Sequence, residues 1–164
     1  MAIRQEAINL ILDTLKPEDL VVACNGKISR ELFELRVERG EPTDDFYMLG
    51  SMGCAIPLAL GVAMNTHKKV VCLVGDGNLL MKLGALATVR SKNLKNLYIY
   101  VLNNYAHGST GGQPTNMLAV RHALPFGVNF RIMDLEPGER PNLGRPTISA
   151  KQITANFRNK IYAS

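Results

Sequence analysis

Apolar residues fall into two alternating patterns along this chain. In residues 2–15 they recur three or four positions apart, which is the spacing of one face of a helix. Residues 20–24, 69–74 and 97–102 are instead short, nearly continuous apolar runs, as expected for strands buried on both faces. The pattern therefore predicts buried strands that alternate with helices.

Turn and capping residues divide the rest of the chain into further elements. Ser29 is predicted to cap a helix over residues 31–39 that Gly40 ends. Residues 50–53 are predicted to lead into a helix of small residues that runs to about Asn65. The remaining predicted elements are an extended piece at 47–49, a helix at 79–90, a short segment at 118–126, a strand at 128–133 and a closing helix at 151–162.

Strands that alternate with helices are typical of an α/β fold. Such strands pair into a parallel sheet with helices on both faces, and ligands bind along the edge formed by the carboxyl ends of the strands. A chain of 164 residues has room for one such domain, so we expect residues 1–164 to form a single unit.

Composition argues against several classes of function. The net charge is +5, but Lys and Arg are scattered without an aromatic-interleaved basic block, so we expect no nucleic-acid partner. No apolar run is long enough to cross a membrane, and the charged N-terminal segment is typical of an amphipathic helix, not a secretion signal. We therefore expect a cytoplasmic protein whose positive charge serves an anionic cofactor or substrate.

The three cysteines lie in apolar surroundings. Cys24, Cys54 and Cys72 show no Cys-x-x-Cys spacing, which argues against a disulfide framework and against a zinc site. Each is predicted to be a small core residue.

Two polar motifs directly follow two of the predicted strands. Gly-Asp-Gly-Asn occupies residues 75–78 and Asn-Asn occupies residues 103–104, with one helix and one strand between them. Carboxylate, amide and carbonyl oxygens are the hard ligands that Mg²⁺ prefers, and Mg²⁺ in turn bridges phosphate oxygens. Flanking glycines and helix N-terminal amides also favour a phosphate. Taken singly, each motif is equally typical of a tight turn.

Together, at this separation, the two motifs resemble the signature of thiamin-diphosphate-dependent enzymes. The resemblance implies that Mg²⁺ is coordinated by Asp76, by the side chain of Asn104 and by the backbone carbonyl of Ala106. It also implies that thiamin diphosphate is bound by a larger set of residues. That set is Gly50, Ser51, Met52, Gly75, Asp76, Gly77, Asn78, Asn104 and Ala106.

In the same superfamily the segment that resembles residues 50–53 meets the two rings of the cofactor. Met52 would be the apolar wedge that keeps the cofactor bent, and the Gly50 carbonyl would orient the exocyclic nitrogen of the pyrimidine. The bend makes removal of the thiazolium proton a local step. Ordinary core packing is the alternative for Met52.

Three longer segments resemble phosphonopyruvate decarboxylases and their relatives, the sulfopyruvate decarboxylases. They are residues 25–36, 106–115 and 143–147. The resemblance implies decarboxylation of a small anionic 2-oxo acid, in which the thiazolium ring accepts the electrons released as CO2 leaves. Lys27 and His107 are candidates for binding the substrate anion, and His107 also for proton transfer. For both, a solvated loop residue is the alternative.

The resemblance also implies what the chain lacks. Thiamin-dependent enzymes place an activating glutamate on a separate pyrimidine-binding domain, so we expect an alpha-type partner subunit to supply it. The segment after Thr115 is shorter than in the family, which predicts a missing edge strand and apolar surface that a partner must bury. The alternatives are a sulfopyruvate decarboxylase beta subunit, a carboligase, and a non-catalytic cofactor-binding remnant.

Overall fold

The protein is built around a five-stranded parallel sheet. A computed structural model describes residues 3–124, 129–136 and 140–163, so predictions for Ala2 and for residues 125–128 lie outside the described residues. The strand order is β2-β1-β3-β4-β7, and β5 and β6 form a separate antiparallel hairpin. The strands are β1 (Leu20–Ala23), β2 (Phe46–Tyr47), β3 (Val70–Gly75), β4 (Leu97–Asn103), β5 (Ala106–His107), β6 (Gln113–Pro114) and β7 (Phe130–Asp134).

Helices cover both faces of this sheet. The helices are α1 (Arg4–Leu12), α2 (Lys27–Glu38), α3 (Ala55–Ala63), α4 (Asp76–Met81), α5 (Gly84–Lys92), α6 (Met117–Val120) and α7 (Ala150–Tyr162), and a 3-10 helix spans Arg121–Ala123. Val21 and Val22 are consecutive, so their side chains point to opposite faces of the sheet, and both are fully buried. The predicted α/β fold class is therefore confirmed. None of the described helices is both long and apolar enough to span a bilayer.

Burial decreases toward one edge of the sheet. The residues of β3 are buried except for its last one, whereas Arg131 in β7 is exposed and both Ile132 and Met133 are partly exposed. This partial exposure agrees with the prediction that the shortened segment after Thr115 leaves apolar surface uncovered.

Two predictions about helix ends were wrong. Ser29 is not the cap of α2, because the helix begins earlier, at Lys27, after Gly26 with φ +91°, and the Ser29 hydroxyl donates to the Gly26 carbonyl at 3.1 Å. The single helix predicted over residues 79–90 is two helices, and the first starts at Asp76. Apolar periodicity starts only at Leu79, which is why it missed the polar first turn of α4.

The strand register brings the two polar motifs together. Gly75, the last residue of β3, pairs with Leu102 of β4 in parallel orientation. Asp76 and Asn104 therefore both emerge at the same edge of the sheet, just past neighbouring strand ends.

A buried ion pair fixes the loop that leads into β2. Arg36 of α2 donates from Nε to Oδ2 of Asp45 at 2.7 Å and from Nη2 to Oδ1 at 3.2 Å, and Asp45 is fully buried. The exposed Arg39, near the end of the same helix, instead contacts Asp13 and Glu41 at the surface. The two arginines thus form ion pairs at very different depths.

We expect Arg36→Met to lower the free energy of unfolding by about 3 kcal/mol, because it leaves the buried Asp45 carboxylate without its main partner. Arg39→Met is the matched control and should cost about 0–1 kcal/mol, since its pairs are exposed. Urea denaturation measures both. If both variants lost the same free energy of unfolding, the buried pair of Arg36 and Asp45 would not have the stabilising role assigned to it.

Candidate active site

A cavity of about 70 Å³ opens at the carboxyl edge of the sheet, between the ends of β1, β3 and β4. A water molecule occupies about 30 Å³ in the liquid, so the cavity has room for a small polar group as it stands. Nine residues predicted from the sequence line it. They are Lys27, Met52, Gly75, Asp76, Gly77, Asn78, Asn104, Ala106 and His107.

Asp76 is the buried carboxylate of this cavity. It is 2% exposed, and its Oδ2 accepts a hydrogen bond of 2.5 Å from the Thr115 hydroxyl. Burial raises the pKa of the Asp76 carboxyl, while the hydrogen bonds from Thr115 and from the Gly77 N–H oppose that rise. A bound cation would favour the ionised form in the same way.

A hairpin carries the remaining ligand candidates to Asp76. Strand β5 pairs with β6 so that Ala106 lies opposite Pro114, which has no N–H to donate to the Ala106 carbonyl. The Asn104 side-chain oxygen accepts from the Ala106 N–H at 3.3 Å. Because the hairpin returns toward β3, it also places Thr115 against Asp76.

Gly77 is the point where two predicted catalytic side chains converge. A Cβ atom added there would lie 2.6 Å from Cε1 and 2.8 Å from Nδ1 of His107, and 3.3 Å from the Met52 methyl carbon. Only glycine leaves room for the His107 ring at this distance from the backbone. His107 and Met52 therefore face the same wall of the cavity.

The upstream glycine segment is tied to the Gly-Asp-Gly-Asn motif. The Gly53 N–H donates to the Asn78 side-chain oxygen at 2.9 Å, and Asn78 is 8% exposed. Gly50 and Ser51 do not line the cavity. They line an adjoining apolar groove of about 330 Å³ that also includes Leu49.

These residues fit magnesium and a diphosphate. A buried carboxylate, an amide oxygen and a backbone carbonyl at one cavity form the oxygen donor set that Mg²⁺ prefers. Gly75 and Gly77 line the same cavity, and backbone N–H groups at glycines are the kind of donors that bind a phosphate. Asn25 also lines the cavity, and within the described residues its buried Oδ1 has no hydrogen-bond partner, so the wall still has a polar group to satisfy.

A second polar cluster supports the Asn103–Asn104 turn from behind. Asp134 Oδ1 accepts from the buried Asn103 amide at 2.7 Å and from the Tyr105 hydroxyl at 2.9 Å, and Arg121 Nη2 donates to Oδ2 at 2.6 Å. Tyr105 has a positive φ of 58°. The cluster thus holds both neighbours of Asn104 in a conformation that a free loop would not keep.

Burial keeps one cysteine of the cavity unreactive. Cys24 is fully buried, and its burial raises the pKa of the thiol to about 12. Cys72 is also buried, whereas Cys54 is partly exposed.

Several residues of the site were not among the predicted ones, and three polar residues among them bear on ligand binding. Arg4 and Asn25 line the cavity, and Thr115 contacts Asp76. Arg4 precedes Ala7 and Ile8 by three and four positions and therefore shares their buried helix face, so its position was a usable signal. No signal in the sequence indicated the contact between Thr115 and Asp76, because that contact depends on how the hairpin folds.

The sequence relationships agree with this geometry. Residues 24–137 match the family described as "Thiamine pyrophosphate enzyme, C-terminal TPP binding domain", which is more than half of the chain. The chain belongs to this family. The matched span contains the cavity residues from Cys24 to Ser109 and leaves out Arg4.

Individual relatives are decarboxylases. The chain is 34% identical over 183 aligned positions to phosphonopyruvate decarboxylase of Streptomyces hygroscopicus, covering 94% of this chain and 45% of that protein. It is 41% identical to the sulfopyruvate decarboxylase subunit beta of Methanothermobacter thermautotrophicus, and the alignment covers 76% of this chain and 68% of that subunit. The corresponding subunit of Methanocaldococcus jannaschii is 38% identical, covering 69% and 58%.

The alignment lengths bear on the size of the domain. The chain spans less than half the length of the phosphonopyruvate decarboxylases it matches. The 183 aligned positions also exceed the 164 residues of the chain, so the Streptomyces hygroscopicus protein has residues within the aligned region that this chain lacks. This agrees with the expected shortening.

Thr115→Val should weaken binding of magnesium pyrophosphate about 5-fold to 30-fold, because the hydroxyl that orients the Asp76 carboxylate is lost. Isothermal titration calorimetry measures the affinity. Thr115→Ser retains the hydroxyl and should restore most of it, and Thr110→Val alters an exposed threonine of the same hairpin as the control. Equal affinity in Thr115→Val and wild type would contradict a positioning role.

Asp134 predicts a pH dependence of stability. Its hydrogen bond from Arg121 lowers the pKa of the Asp134 carboxyl from 3.8 to about 2. Because this pKa is lower in the folded protein than in the unfolded chain, the ionised carboxylate stabilises the fold fully at a pH above the unfolded-state pKa. The stabilisation is lost as the pH falls through the folded-state pKa of about 2. Because the carboxylate is partly exposed, we expect Asp134→Asn to cost about 1 kcal/mol at neutral pH.

The difference between wild type and Asp134→Asn in urea denaturation should shrink as the pH is lowered from about 5 toward about 3. A difference that stays constant over this range would mean that ionised Asp134 does not provide the stabilisation.

Proposed function

We propose that this chain is the magnesium- and diphosphate-binding subunit of a thiamin-diphosphate-dependent decarboxylase. Its substrate would be 3-phosphonopyruvate, and the products CO2 and phosphonoacetaldehyde. The observation that carries the proposal is that Asp76, Asn104, Ala106 and the Gly77 backbone line one cavity. The family assignment and the names of the relatives support the cofactor and the reaction.

The metal and cofactor would be held by groups at the strand ends. The Asp76 carboxylate, the Asn104 amide oxygen and the Ala106 carbonyl would coordinate Mg²⁺, and Gly75, Gly77 and Asn78 would contact the diphosphate. When bound, thiamin diphosphate supplies an electron sink for the electrons released with CO2. This chain's own task is to hold that group in place and to exclude water around it.

The residues between the two motifs would position the rings and the substrate. Met52 would be the wedge that maintains the bent cofactor, and the Gly50 carbonyl and Ser51 would meet the pyrimidine from the adjoining groove. Lys27 and His107 would bind the acidic groups of the 2-oxo acid, and His107 would also move a proton. His107 is well placed for this, because its ring packs against Gly77.

The active site would be completed by an alpha-type, pyrimidine-binding partner carrying the activating glutamate. Exposed apolar residues on the segments that carry or contact the site residues support this arrangement. Leu49 is 55% exposed beside Gly50, Met81 of α4 is 59% exposed, and Leu118 of α6 is 69% exposed. Large apolar side chains near an incomplete site are typical of a surface that another polypeptide buries. We propose the cytoplasm as the location of the complex.

Sulfopyruvate is the second candidate substrate. The relatives that are themselves separate beta subunits are sulfopyruvate decarboxylases, and the chain covers more of their length than of the phosphonopyruvate decarboxylases. Phosphonate and sulfonate are both tetrahedral oxyanions, so Lys27 and His107 would suit either.

The test is turnover by the chain co-purified with a pyrimidine-binding subunit, assayed on 3-phosphonopyruvate and 3-sulfopyruvate. We expect CO2 release and an aldehyde that depend on added thiamin diphosphate, stop on removal of Mg²⁺ with EDTA, and are lost in Asp76→Ala. Thr14→Val serves as the active control, since Thr14 is exposed, its hydroxyl donates to the Ile11 carbonyl and it does not line the cavity.

The outcomes separate the alternatives. Turnover of the sulfonate alone would identify the second candidate, and cofactor binding without turnover of either acid would identify a non-catalytic binding module. Calorimetry that finds equal affinity for magnesium thiamin diphosphate in Asp76→Ala and wild type would refute the site itself.

A further inference from the structure

A buried arginine reaches the cofactor cavity from the first helix. Arg4 is 8% exposed and lines the same cavity as Asp76, Gly77 and Asn104. Its Nε donates to the carboxylate of Glu31 in α2, which is 1% exposed, so the guanidinium is held in place from behind. In the part of the chain that the structure describes, Arg4 Nη2 is buried without a hydrogen-bond partner.

A buried guanidinium N–H without a partner is unfavourable, so its position at a cavity indicates a missing acceptor. The guanidinium is planar and presents its donors as a rigid fork, so a group held by Nε at Glu31 directs Nη2 in a defined direction. Among the described residues, Asn25 Oδ1 is the other buried side-chain atom without a partner, and Asn25 lines the same cavity. Arg4 Nη2 is a donor and therefore favours an oxygen-rich anion, whereas Asn25 Oδ1 is an acceptor and favours a donor or a cation.

The location of Arg4 favours the phosphate end of that ligand. The charges of Arg4 and Asp76 both act on the Cys24 thiol, the first lowering its pKa and the second raising it. Arg4 therefore approaches the cavity near the ends of β1 and β3, where the metal ligands lie. Gly77, which would contact the diphosphate, directly follows Asp76, so Arg4 lines the same cavity as the diphosphate-binding backbone.

Charge also favours a cation at this place. A magnesium ion neutralises only part of the charge of a diphosphate, and the Asp76 carboxylate adds another negative charge beside it. A guanidinium can donate to a phosphate oxygen in the strong, charge-assisted geometry that Arg residues typically use.

We propose that Arg4 Nη2 donates to the terminal phosphate of the bound diphosphate, so that α1 supplies a diphosphate-binding residue outside the two strand-end motifs. This inference rests on the proposed function, because it takes the diphosphate to be the ligand of this cavity. Glu31 is then a positioning residue that orients the guanidinium without touching the ligand.

The probe is inorganic pyrophosphate with Mg²⁺, titrated calorimetrically into the full chain. Arg4→Gln alone would leave buried Glu31 unpaired, so the informative comparison is between Glu31→Gln and the double variant Arg4→Gln, Glu31→Gln. Glu31→Gln keeps the arginine, and the glutamine oxygen can still accept from Nε and orient the guanidinium, so this variant should bind about as well as wild type. The double variant should bind about 10-fold to 100-fold more weakly than Glu31→Gln.

A second variant guards against loss of folding, which thermal unfolding would reveal. Arg4→Lys keeps the pair with Glu31, but a single ammonium cannot also present the forked second donor, so binding should weaken about 5-fold or more. The inference would be overturned if Arg4→Lys bound magnesium pyrophosphate as tightly as wild type. It would also be overturned if the folded double variant bound it as tightly as Glu31→Gln.

Two further outcomes are distinguishable from that one. If wild type itself fails to bind magnesium pyrophosphate, the proposed function fails and the inference falls with it. If the Arg4 variants bind magnesium pyrophosphate normally but bind 3-phosphonopyruvate more weakly, the arginine serves the substrate and the inference is overturned.

Discussion

The parallel pairing of β3 with β4 is the constraint on which the whole site depends. Because Gly75 pairs with Leu102, the two polar motifs that follow these strands emerge next to each other at one edge of the sheet. A carboxylate and an amide that are 28 residues apart in sequence (104 − 76) thereby line one cavity. A shift in this register would separate Asp76 from Asn104 and leave no set of oxygen ligands.

The surrounding structure holds these side chains in place. The β5–β6 hairpin brings Thr115 to the Asp76 carboxylate, and the Asp134 cluster holds the backbone on either side of Asn104. Asn78 connects the glycine segment at Gly53 to α4. Each contact comes from a different part of the chain, so the site is assembled by the complete fold and not by the motifs alone.

The sequence predicted the sheet well and the side-chain contacts poorly. Short apolar runs located β1, β3 and β4 to within one or two residues, because strands buried on both faces need continuous apolar sequence. Glycine and asparagine after those runs located the candidate site. The start of α4, the interior position of Ser29 and the contact from Thr115 were not predictable from periodicity, because polar turns and tertiary hydrogen bonds decide them.

The most direct test of the account is a crystal structure of the chain with its partner, thiamin diphosphate and Mn²⁺ in place of Mg²⁺, with the metal located by its anomalous scattering. We predict one ion bound directly by an Asp76 carboxylate oxygen, the Asn104 side-chain oxygen and the Ala106 carbonyl, at roughly 2.0–2.2 Å from each. Diphosphate oxygens should complete its octahedral coordination. An ion bound elsewhere, or a diphosphate that does not reach the Asp76 cavity, would contradict the account.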